Sequence, residues 1–149
     1  MKKLFVSIIC VLGIMGLTFT SFSFAAEDEI EEPELEYDSQ LIYNYPLFDA
    51  DNMPPEHKFF KFWRVENVGT KTWTRNSLTI VPIDEMAGDL MYYRNNRVSG
   101  LTFSGRTEVL YLLLRSPGES GEYTGCYQLH HKKDNFNFGE PFCVEITVK

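Results

Sequence analysis

The sequence predicts an all-β chain folded as an antiparallel β-sandwich of about seven strands, and three observations carry that prediction. From residue 58 onward, short runs of aromatic and β-branched residues alternate with Gly, Pro and Asn punctuation. No stretch of the chain shows sustained helical periodicity. At 149 residues there is enough chain for one self-sufficient core and too little for two ordinary ones.

Before the strands come two segments of different character. Lys2 and Lys3, an apolar run from Leu4 to about Leu17 and small residues ending at Ala25 read as an export signal spanning 1–25. The run is short, and acids follow it at once, so a permanent membrane anchor is not expected. Residues 26–55 then form an acidic leader and an apolar arm. Without Lys2 and Lys3 the chain has 12 bases against 21 acids, and eight of those acids fall between Glu27 and Asp38. From Glu56 to Lys149, 11 acids meet 12 bases, so the part expected to fold is nearly neutral. No basic surface is evident, which argues against nucleic acid as a partner. The arm, LIYNYPLF at 41–48, is too apolar for a bare linker; it either packs on the domain as an edge strand or docks on a neighbour.

The domain, 56–149, opens with a strand from Lys58 to about Val68. Phe59, Lys61, Trp63 and Val65 fall on one face, Phe60, Phe62 and Arg64 on the other. Aromatics on both faces predict a strand covered over most of its length. Asn67-Val68-Gly69 marks a turn, Trp73 opens the next segment, and Ser77 to Ile83 is a second run whose Pro82 suggests an edge or a bulge. Asp84 to Asn96 reads as a long loop with one helical turn. A short LTF run and a Gly105-Arg106 turn lead to Thr107–Arg115, apolar enough to predict a strand housed between other layers. Tyr123–His131 and Pro141–Val148 are the last two strands. A two-residue turn at Asp134-Asn135 sets Cys126 directly across from Cys143, on the face opposite Tyr127, Leu129, Val144 and Ile146. The remaining cysteine, Cys10, lies in the signal segment, so a Cys126–Cys143 disulfide is expected in an oxidising compartment.

Several of these residues also form a pattern. Phe59-x-Lys61-x-Trp63-Arg64-x-x-Asn67-x-Gly69-x-x-x-Trp73 is followed by Ser116-Pro117, Gly121-x-Tyr123-x-x-x-Tyr127 and Phe138-Gly139-x-x-x-Cys143. The pattern resembles the four-tryptophan domain, an Ig-like β-sandwich of selective-autophagy receptors and many bacterial proteins, over residues 56–149. Two of the four signature rings are replaced, Tyr127 standing at the third position and Cys143 at the fourth. The resemblance implies an Ig-like fold and a module that binds proteins rather than an enzyme.

Catalytic constellations are not apparent. His130 and His131 point to opposite faces of a strand, Ser104, Ser116 and Ser120 lack a nucleophile elbow, and no phosphate loop or dinucleotide fingerprint exists. No enzyme activity, cofactor or metal is expected. The expected partner is a protein or peptide, with no membrane contact after signal cleavage, in the periplasm or medium of a bacterium. Met86, Met91, Tyr92, Tyr93, Arg94 and Arg97, in the irregular segment, combine the residue types that anchor protein interfaces and are the expected contact region. Two other classes remain open: an envelope component docking through the 41–48 arm, and a glycan-binding protein or hydrolase using an aromatic platform.

Overall fold

A computed structural model of the chain describes residues 36–90, 98 and 100–149. Two three-stranded antiparallel sheets face each other. The first has the order β1-β2-β6, with β1 at Ser39–Asn44, β2 at Lys58–Asn67 and β6 at Thr107–Arg115. The second has the order β4-β7-β8, with β4 at Leu78–Pro82, β7 at Gly121–His131 and β8 at Phe136–Val148. A two-residue pair, β3 at Trp73–Thr74 and β5 at Leu101–Thr102, lies outside both. One short helix, α1 at Glu85–Leu90, follows β4.

Alternation decides which side chains meet. Along β2 every second residue from Phe59 to Asn67 is buried, and β6 buries Leu110, Leu112 and Leu114 in the same rhythm. From the other sheet Leu78, Ile80, Tyr127, Leu129, Phe142, Val144 and Ile146 point inward. Rings join the two layers: the Trp63 centroid stands 4.9 Å from that of Phe142 and 5.8 Å from that of Tyr127. Each large side chain taken out of water this way contributes about 1.5–3 kcal/mol.

The arm is an edge strand of its own domain. Residues 39–44 pair with β2, and the chain then runs to Met53, whose N–H donates to Thr147 O at 2.9 Å while Lys149 N–H donates to Met53 O at 3.1 Å. Pro82 ends β4, which is an edge of the second sheet, so its missing N–H breaks no central ladder.

Three expectations need correction. β2 is not covered on both sides, because Phe60 and Phe62 remain 52 % and 40 % exposed. β6 is likewise not housed between layers. It is an edge strand in which Val109 is exposed and Tyr111 and Leu113 are partly so; its run of apolar residues hid the alternation. The final hairpin turns through four residues, 132–135, with His131 across from Phe136. Further along, Gly139, Glu140 and Pro141 oppose Gln128 alone, and these two extra residues of β8 shift the register back. Cys126 therefore does face Cys143, and the two are joined by a disulfide with Cα atoms 4.1 Å apart. The turn assumed from sequence was wrong, and the bulge compensates for it.

Candidate functional site

The residues of the sequence pattern serve the fold, each in an identifiable way. Trp63 and Trp73 are fully buried, Phe59 and Phe138 nearly so. The Trp63 indole donates to Cys143 O at 3.0 Å, tying β2 to β8. Asn67 sits at the end of β2 with its amide donating to Lys71 O and to Thr102 O, both at 2.9 Å. It thereby holds the following turn and β5 in place. Gly69 packs so closely on the backbone of residues 36–38 that a Cβ there would lie 2.6 Å from Asp38 N. Gly139 takes φ 75° within the β8 bulge, against Ser39. Tyr123 donates to Glu119 O at 2.9 Å and Tyr127 to Ala87 O at 3.0 Å. Burial, with the Asp84 carboxylate nearby, raises the Tyr127 phenol well above its ordinary value. Lys61 lies on the buried face of β2, and desolvation lowers its amine below the usual lysine range. Arg64 is the outward member, 5.8 Å from the Tyr45 ring centroid.

Of the expected contact region only Met86 lies within the described residues; Met91, Tyr92, Tyr93, Arg94 and Arg97 lie outside them. Met86, on α1, is half-buried and lines a cleft of about 340 Å³ with Asp89, Tyr123, Pro117, Glu119 and Glu56. An ion pair joins Glu56 to Arg115 at its wall. The Asp84 carboxylate is engaged: Oδ1 accepts from Ala87 N at 2.6 Å and Oδ2 from Cys126 N at 2.9 Å. That leaves it a helix cap and a brace for β7.

Sequence reasoning missed a second surface. On the outer side of the first sheet Phe62 pairs directly with Tyr111, and Phe60 with Leu113. The Phe60, Phe62 and Tyr111 centroids are 6.0–6.3 Å apart, a three-ring cluster open to solvent. Arg64, Val109 and Tyr45 extend it along the sheet. The signal was available in part, since Phe60, Phe62 and Arg64 share a face by alternation alone. Placing Tyr111 there needs the β2–β6 register, which the sequence does not reveal.

Catalytic groupings do not assemble among the described residues. Ser116 Oγ donates to Pro54 O at 2.6 Å and accepts from His57 N at 2.8 Å, a loop tether. His131 is buried with Nδ1 3.0 Å from Asp134 Oδ2, whereas His130 turns to the other face, its Nδ1 2.7 Å from Asn137 Oδ1. No group of three or more His, Cys, Asp or Glu suited to a metal occurs among these residues.

Residues 47–148 match the family model described as the Ig-like domain from next to BRCA1 gene. Among solved structures, the ASH / PapD-like domain of human CEP192 (PapD-like domain 7) is similar at 15 % identity, covering 87 % of this chain and 94 % of that one with a TM-score of 0.37. That likeness is too loose for a strand-by-strand comparison. No curated protein matches the chain.

Proposed function

We propose a function from one premise: the chain belongs to the family of the Ig-like domain from next to BRCA1 gene, and its sandwich is an Ig-like one. On that premise the chain is a non-catalytic module that binds a protein or peptide, and its contact surface is the outer face of the β1-β2-β6 sheet. The observation that carries this reading is the exposed Phe60–Phe62–Tyr111 cluster beside Arg64. Half-exposed rings and an outward guanidinium, rather than buried polar groups, are what a partner's apolar side chains require of a docking face.

The finer parts of the reading belong with it. The domain is of the four-tryptophan type, with Tyr127 filling the third ring position against Trp63 and Cys143 standing in the fourth. Residues 1–25 are an export signal and 26–55 a leader and arm, and the Cys126–Cys143 bond supports an oxidising destination, the periplasm or medium of a bacterium. Met86, in its cleft beside α1, favours a second contact at the 84–97 segment.

A capture experiment separates the two surfaces. The chain from Ala26 is immobilised as wild type, as Phe60→Ser/Tyr111→Ser and as Tyr92→Ala/Tyr93→Ala, and partners are recovered from the compartment where cell fractionation finds the protein. The reading expects loss with the first variant. Full retention there, with loss in the second, moves the contact to the 84–97 segment and overturns the sheet-face reading.

A further inference from the structure

A cavity of about 240 Å³ opens in the seam between the first sheet and β8, lined by Asn44, Leu47, Ala50, Lys61, Cys143 and Glu145. Lys61 enters it from the inner face of β2, between Phe59 and Trp63, with 4 % of the residue exposed. Its ammonium brings three donors. Among the described residues it donates to the Tyr45 carbonyl and stands 5.8 Å from the Trp63 ring centroid, and no carboxylate pairs with it. Lysine is rarely buried without a counter-charge, because an ion stripped of water and left unpaired costs several kcal/mol. The structure thus holds a cation short of acceptors beside an open space of its own.

We propose that the seam cavity binds a carboxylate on Lys61 Nζ, with Asn44 and Glu145 as the flanking polar groups. The volume suits a group of a few heavy atoms rather than a larger cofactor. Glu145 opposes a bare dianion and favours a carboxylate that brings a positive charge with it. Two sources supply such a carboxylate: a free amino acid, whose ammonium can face Glu145, and the terminal carboxylate of a polypeptide that ends in a basic residue. This site is separate from the aromatic face, and neither depends on the other.

The test reads Lys61 directly. In the chain from Ala26 carrying ¹³C-labelled lysine, the Lys61 ε-methylene resonance is followed at constant ionic strength. The probes are sodium acetate, glycine, and a short peptide that ends in a basic residue, with a free or an amidated C-terminus. A saturable shift with the free carboxylates, and none with the amidated peptide, is expected. Saturation by glycine alone assigns the free amino acid, and by the free peptide alone the chain terminus. Glu145→Gln is expected to tighten acetate binding by about tenfold. Lys61→Met is expected to abolish backbone shifts around Asn44 and Cys143; where that variant does not fold, the wild-type resonance alone decides. No saturable Lys61 shift with any probe, or unchanged binding in a folded Lys61→Met chain, overturns the proposal and leaves Lys61 as a tether for the Tyr45 carbonyl.

Discussion

On the outer face of the first sheet, β2 and β6 set three aromatic rings within 6.3 Å of one another in the open. On the outer face of the second, β7 and β8 set the Cys126–Cys143 bond, Gln128 donating to Gly139 O at 2.6 Å, and His130 against Asn137. Both faces arise from the same two-residue alternation over one shared core. The second ties these outward groups together within the sheet, by covalent and hydrogen bonds. The first leaves its ring cluster open to solvent, and exposed aromatic clusters of that kind are uncommon on surfaces without a contact role. Stability is therefore concentrated in one outer face, and the proposed contact surface lies on the other.

Substitutions can break or sharpen that contrast. The largest effect is expected from Cys126→Ser/Cys143→Ser, about 3 kcal/mol lost in urea unfolding for a loop whose ends are 17 residues apart. Gly139→Ala follows at about 2 kcal/mol, because φ 75° is unfavourable for Ala and the new Cβ would meet the Ser39 side chain. Tyr127→Phe leaves Ala87 O without its donor, for about 1 kcal/mol. Its sign with pH is a sharper readout. The phenol's folded value is raised above 10.0, so its contribution is complete below pH 10.0 and is lost as pH climbs from there toward the raised value. In Tyr127→Phe that loss disappears, leaving the opposite slope of Lys61, whose lowered amine makes stability rise as pH approaches 10.5. Thermal melts from pH 8 to pH 11 are expected to show both changes. Smallest is Phe60→Ser, about 0.5 kcal/mol or less for a ring already half in solvent. A loss of several kcal/mol there would show that the open face carries stability after all, and the contrast would fail.

Much of this arrangement was legible in the sequence. Alternation alone sorted Phe59, Lys61, Trp63 and Val65 from Phe60, Phe62 and Arg64, whereas the Cys126–Cys143 pairing came out right because the two extra residues of β8 offset the mistaken turn. The reading failed where physics is one-sided. Apolar residues make a core, but an apolar residue need not be in it, so aromatics on both faces of β2 did not mean two covering layers. The run TEVLYLLLR concealed its open side for the same reason. The β8 bulge was illegible because it depends on Gly139 meeting Ser39, residues a hundred positions apart in sequence. The open ring cluster needed the pairing of Phe62 with Tyr111, another long-range register that no local pattern encodes.

The position of the disulfide along β8 also sets how the domain bears a mechanical load. A pull on the C-terminus detaches β8 from β7 through Val148 and back to Val144, and there the covalent link at Cys143 takes the strain. Beyond that point the force passes into β7, and the Trp63 bond to the Cys143 carbonyl passes part of it across the core to β2. In the oxidised chain, peeling from this end stops at five residues of β8, whereas a reduced chain has no such stop.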